Sequence, residues 1–163
     1  MTLPGRIALA RGLITGLRCA KTQVQPCGID LSLKHVLSMD SAGTIDFDNS
    51  KRCISGSTRL PFQNHSLRLK PGVYLVEFNE KIHMPCDVMG EVFVRSSLFR
   101  SGAQIHAGVM DSGYQGVIGA MLEVDDPAGI RLYKHARLAQ IIFRTMTEPT
   151  EGYSGQYQGR SKM

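Results

Sequence analysis

Apolar positions along this chain recur chiefly at every second residue, and a single short stretch repeats at helical spacing. That stretch is residues 4–11, where Pro4 suits a first helical turn, Ile7, Ala8 and Arg11 share a face, and Gly12 marks a stop. A short Leu13-Ile14 segment follows. Ile29, Leu31 and Leu33 then alternate with Asp30 and Ser32, as in a half-buried strand. Residues 38–61 are polar and rich in turn formers, and they read as an excursion of short strands or loop. Beyond residue 67 strands dominate. They are predicted at 67–70, at 73–78 after a Pro71-Gly72 turn, at 88–94 with Ile82 leading in, and at 103–109, 117–124, 130–133 and 138–143. Residues 148–163 read as a mobile tail. Many short strands separated by turns predict a mainly β, jelly-roll-like distorted barrel with a short N-terminal helix.

Composition narrows the class without deciding it. At 163 residues, 42% hydrophobic and 20% charged, the chain is expected to form one globular domain over residues 1–163. A net charge of +5 favours anionic ligands. The cations are dispersed and no basic run is interleaved with aromatics, so a nucleic-acid partner is not expected. No apolar run reaches the length of a membrane span, and residues 1–6 lack the features of a signal peptide, which predicts a cytoplasmic protein with no membrane partner. The four cysteines never form a CxxC pair, so they read as free thiols, and no zinc site is apparent.

Four strings carry candidate chemistry. Arg95-Ser96-Ser97, with Arg100 close behind, offers a guanidinium, hydroxyls and turn amides that converge on phosphate oxygens. Taken alone, such a tripeptide is more often a solvated loop with a capping serine. The string from Gly108 to Gly116 places Asp111 at the mouth of a glycine-cornered hairpin with Tyr114 three residues on. A carboxylate there can take a proton from a water aimed at phosphorus, and the ring can underlie a sugar. An ordinary hairpin whose Asp starts a turn is the competing reading. Gln140 sits as an amide within an apolar strand and so needs polar partners, which makes it a ligand-facing or network residue, while Arg137 of the same strand reads equally as a structural ion-pair partner. The tail combines Tyr153, Gln156, Tyr157 and Gln158 with glycine hinges and can close over a nucleotide, or fray.

These strings, in this order, resemble the dUTPase and dCTP deaminase family. Leu3-Pro4-Gly5, Gln25-Pro26 and Gly28-Ile29-Asp30-Leu31 extend the resemblance toward the deaminase branch and its archaeal-type dUTPase relatives. The resemblance implies a homotrimer, with Arg95, Ser96, Ser97 and Arg100 on the phosphates. It further implies Gly108 and Val109 reading the pyrimidine through their backbone, Tyr114 under the deoxyribose, and Gln140 near the phosphate and water. Asp111 becomes the general base. Asp30 is linked, indirectly through water, to magnesium on the triphosphate, and Tyr153, Gln156, Tyr157 and Gln158 form the closing tail. Residues 38–71 are unmatched.

Which activity follows depends on few positions. The deaminase branch needs a glutamate ten residues after the hairpin acid, and Met121 stands there, where a thioether cannot move protons. Glu123 falls about 7 Å further along the strand. Zinc deaminase chemistry needs a P-C-x-x-C string that the chain lacks. The expectation is hydrolysis of dUTP to dUMP and pyrophosphate. The alternatives are dCTP deamination, a bifunctional enzyme, or a nucleotide-binding module without turnover.

Overall fold

A computed structural model describes residues 1–161; Lys162 and Met163, the end of the expected tail, lie outside the described residues. The chain opens with β1 (Thr2–Leu3), α1 (Gly5–Ala10), β2 (Ile14–Thr15), α2 (Ala20–Gln23), β3 (Val24–Gln25) and the long β4 (Gly28–Met39). It continues with β5 (Ser57–Arg59), β6 (Ser66–Leu69), the equally long β7 (Gly72–His83), β8 (Val88–Val94), α3 (Ser96–Phe99) and β9 (Ala103–His106). β10 (Val109–Met110), β11 (Gln115–Val124), β12 (Ile130–Tyr133) and β13 (Arg137–Thr145) complete it. The main sheet runs β10-β8-β13-β4-β7-β11-β9, and β6 pairs with β12 in a separate ribbon. This is the mainly β, jelly-roll-like architecture that alternation predicts. Among the described residues no helix is long and apolar enough to cross a membrane.

The curl of the sheet comes from β4 changing partners. Residues 29–32 of β4 pair with β13, and residues 33–38 pair with β7. A bulge at Lys34 marks the change. It moves the inward phase from Ile29, Leu31 and Leu33 to Val36, all fully buried. Sequence alternation predicts a break in β7 after residue 78, but the strand continues to His83 through a second irregularity. Phe78, Asn79 and Glu80 stand between the pairs Gly119↔Glu77 and Val117↔Lys81, which puts Glu80 on the inside. Conversely, the strand predicted at 103–109 breaks after His106, and Val109–Met110 leaves β9's neighbourhood to pair with β8. Two helical turns, α2 and α3, are too short for periodicity to reveal. The core includes Phe78, Met84, Ile118, Leu122, Ile141 and Phe143.

Candidate active site

The β10–β11 hairpin builds the first part of the site. Gly113 has φ +79, and a side chain there would strike Gly152 of the tail at 2.6 Å. A Cβ on Gly116 would lie 2.6 Å from the Tyr114 hydroxyl. Its absence lets the Tyr114 ring fold back so that the hydroxyl donates to the Val117 carbonyl at 2.7 Å. The ring is 8% exposed, and burial pushes the phenol above its ordinary range. Asp111, at the tip, stays exposed.

Asp111 and Tyr114 face a cavity of about 660 Å³, the size of a small-molecule site. Val109 and Met110 continue the hairpin wall, and Val117 and Gly119 supply the β11 side. Tyr153, Gln156, Tyr157 and Arg160 bring the tail in as a second wall. That tail, although without regular structure, is bound to the hairpin. Tyr153 N donates to Ser112 O at 2.8 Å, Gly159 N donates to Gln115 O at 2.8 Å, and the Gln158 amide bonds both Gln115 N and Gly113 O at 2.9 Å. The Tyr153 ring meets Tyr114 edge to face with centroids 5.6 Å apart. The third wall is one that sequence reasoning missed: Ile54, Ser55 and Ser57 of the excursion, with Leu75 of β7. Nothing in the sequence sets Ile54 apart from the equally apolar Ile45 and Phe47 of the same run.

Known proteins are similar to this chain in sequence and in fold. The sequence pattern of the dCTP deaminase-like family matches residues 5–146. The chain belongs to this family. A Methanosarcina mazei protein named "Probable deoxyuridine 5'-triphosphate nucleotidohydrolase" is 42% identical over 143 residues, covering 86% of this chain and 84% of that one. The "Deoxyuridine 5'-triphosphate nucleotidohydrolase" of Methanocaldococcus jannaschii is 36% identical over 140 residues, 85% of this chain and 88% of that one. In fold, the chain is similar to the 2'-deoxycytidine 5'-triphosphate deaminase of Agrobacterium tumefaciens, with a TM-score of 0.69 and 23% identity. That match covers 88% of this chain and 47% of the deaminase, so the present chain spans about half of its length.

The remaining candidate residues gather elsewhere on the fold. Phe93, Gln140 and Asp30 stand side by side across β8, β13 and β4. Asp30 is 2% exposed, and its Oδ2 receives Arg95 Nε at 3.1 Å and Arg137 Nη1 at 2.9 Å. Burial pushes Asp30 above the usual carboxylate range, against the pull of both guanidiniums. Arg95 also donates to the Arg137 carbonyl at 3.1 Å, which locks the two cations to one strand end. Ser96 and Ser97 are exposed on α3 just beyond, Arg100 is exposed immediately after it, and Gly108 is exposed next to β10. Met110 pairs with Gly90 at one end of β8, whereas Arg95 follows the other end. At ~3.3 Å per residue the five steps from Gly90 to Arg95 put the arginine turn about 16 Å along β8 from Met110, with Asp111 one residue further away. Among the described residues of one copy, the cavity beside Asp111 is not lined by the arginine turn, and Arg160 is its cation.

The β11 strand bears on the choice of chemistry. Val117, Gly119, Met121 and Glu123 alternate on one side of it, with the first two in the cavity wall. Met121 is half-buried, and the Glu123 carboxylate lies 2.8 Å from His106 Nε2 on the neighbouring β9. No carboxylate of this face enters the cavity.

Proposed function

We propose that this chain hydrolyses dUTP to dUMP and pyrophosphate. The carrying observation is the exposed Asp111 lining a nucleotide-sized cavity together with Tyr114. The relatives named as deoxyuridine 5'-triphosphate nucleotidohydrolases support the same reading. Asp111 orients and deprotonates a water for in-line attack on the α-phosphorus, so that the bond to the bridging oxygen breaks and pyrophosphate leaves. Tyr114 lies under the deoxyribose, where an added hydroxyl would collide. The backbone of Gly108 and Val109 reads the pyrimidine edge. Tyr153, Gln156 and Tyr157 close the cavity and exclude water, held in place by Gln158.

The phosphate end is completed by a second copy of the chain in a homotrimer, whose Arg95, Ser96, Ser97, Arg100 and Gln140 reach the triphosphate over an Asp111 hairpin not their own. The separation of the two halves along β8 supports this arrangement. The donor set fits magnesium carried in by the nucleotide. Among the described residues no three of His, Cys, Asp or Glu come together as a cage, and Asp30 is closed over by Arg95 and Arg137. Bound on the triphosphate, magnesium would supply spreading of the phosphate charge. Asp30, whose Oδ2 is held by the two guanidiniums, would act on it only indirectly, through water.

The test is product identification after separate incubation with dUTP and dCTP. Pyrophosphate and dUMP from dUTP, with dCTP unchanged, are expected. A uracil nucleotide from dCTP would favour deamination, and no turnover of either would leave a binding module.

A further inference from the structure

A buried acid that this mechanism does not use sits behind the phosphate end. Glu80 is fully buried (0% exposed), on the inside of the irregular stretch of β7. That stretch lies where β4 leaves β7 for β13. At such a switch a strand loses its ladder partner, and an unpaired buried amide costs about 1–3 kcal/mol. Glu80 takes the place of the missing strand: its Oε2 accepts from Ser32 N at 2.9 Å, and its Oε1 from Ser32 Oγ at 2.6 Å. Oε1 also accepts from Gln23 Nε2 at 2.6 Å.

The Gln23 amide carries this restraint to the site. Nε2 donates in addition to the carbonyl of Asp30 at 2.9 Å, while Oε1 accepts from Arg18 N at 2.8 Å and Cys19 N at 3.0 Å. Each hydrogen-bonding group of that side chain has a partner, so Gln23 has one orientation. Asp30 is thereby fixed through its own carbonyl by Gln23 and through its neighbour Ser32 by Glu80. Arg137 is tied to the same cluster, donating to Thr22 O at 2.8 Å as well as to Asp30. On the other flank, Asn79 Nδ2 lies 3.0 Å from Ser32 O and 3.2 Å from His135 Nδ1. Burial and nearby Arg18 and Lys134 lower the basicity of His135, which suits a neutral ring accepting there.

We infer that Glu80 is a positioning residue for triphosphate recognition: through Ser32 and Gln23 it sets Asp30, and through Asp30 the directions of Arg95 and Arg137. The inference rests on the reading that the Arg95 turn holds the phosphates. A residue that only supported the fold would affect every ligand alike. One that aims guanidiniums acts in proportion to the phosphates a ligand carries.

The experiment is a phosphate ladder. Affinities of dUMP, dUDP and a nonhydrolysable imido analogue of dUTP are measured for the full chain with magnesium and for Glu80→Gln, which keeps shape but turns a donor toward Gln23 or Ser32. The expected result is analogue binding weakened about tenfold or more, dUDP less, and dUMP unchanged within about twofold. Equal weakening of all three, or none, overturns the proposal. Should E80Q lose its folded circular dichroism signature, Ser32→Ala, which deletes one hydroxyl from the same carboxylate, is measured on the same ladder: a graded loss supports the proposal and a uniform or absent one overturns it. Arg95→Ala separates the layers. A graded loss in R95A without one in E80Q rejects Glu80 alone, and no graded loss in R95A rejects the phosphate reading and the proposal with it.

Discussion

Replacing Gly113 with Ala tests whether the docked tail matters to turnover. In the docked state the new methyl would lie 2.6 Å from Gly152 Cα and 2.9 Å from Tyr153 N, both backbone atoms that cannot rotate away. The docking balance is fine enough for this to decide it. Hydrogen bonds from Thr150, Tyr153, Gln158, Gly159 and Arg160 to the hairpin contribute about 6 kcal/mol at about 1 each. Packing of the Tyr153 ring on Tyr114 adds about 2–3 kcal/mol. Ordering residues 150–160 costs about 11 kcal/mol at about 1 per residue. The terms cancel to within a few kcal/mol, so a clash of about 2 kcal/mol lowers the docking equilibrium constant roughly 30-fold and the docked population by about 10- to 30-fold. The substitution should therefore raise chymotryptic cleavage after Tyr153 and Tyr157 and cut kcat/KM about 10- to 30-fold. A second cost must be separated from this one. Gly113 has φ +79, and alanine in that region loses about 1 kcal/mol, or a few degrees of Tm, whether or not the tail is docked. Gly12→Ala is the control, because Gly12 has φ +70 with nothing within 4 Å of a new Cβ. It should lose the same few degrees and keep its kcat/KM. If G113A matched G12A in both cleavage rate and kcat/KM, the tail would not be working from the position described.

Three further outcomes are expected at the site. Asp111→Asn should lower kcat about 10²- to 10⁴-fold while Tm and analogue affinity stay near wild type, since the group is exposed; retained turnover would remove Asp111 as the base. Ile54→Ala opens the wall formed by the excursion and should raise KM for dUTP several-fold, and an unchanged KM would make residues 41–57 a bystander. The third concerns pH. Burial raises Asp30, so the folded protein keeps this proton where the unfolded chain has released it. The associated stability is complete below the ordinary carboxylate value of about 4 and is lost as pH rises through the raised one. Asp30→Asn, permanently neutral, should therefore cost less stability relative to wild type at neutral pH than below about pH 4, as read by urea denaturation. A cost that grew with pH would show that Arg95 and Arg137 outweigh burial.

Regular structure was legible in the sequence wherever side chains alternate without interruption, as in Val88–Val94 and Ile130–Tyr133. The chemistry-bearing strings were legible too, because an exposed acid between glycines or an amide in an apolar strand is conspicuous by type alone. What escaped was pairing. Nothing in the order of residues 103–109 shows that Val109–Met110 abandons β9 for β8, since that choice is made by long-range partners. The excursion likewise gave no sign of its place in the cavity. Its wall residues face Asp111 only because β5 pairs with β4, β4 with β7 and β7 with β11, three contacts distant in sequence.

Glu80 shows the same limit from the opposite side. Among alternating residues, an acid between Asn79 and Lys81 reads as one more solvated position. It becomes the most enclosed carboxylate of the described residues because the two strands across from it fall out of register. A regular ladder would have satisfied Ser32 with a carbonyl and left no side chain able to reach Gln23 and Asp30 at once. The irregular corner therefore does two jobs that a straight strand cannot: it curls the sheet into a barrel, and it brings a buried acceptor to the backbone that anchors two arginines. On this view the departure from strand periodicity is where fold and recognition meet, because the polar groups freed by broken pairing are those available to fix the direction of a charge.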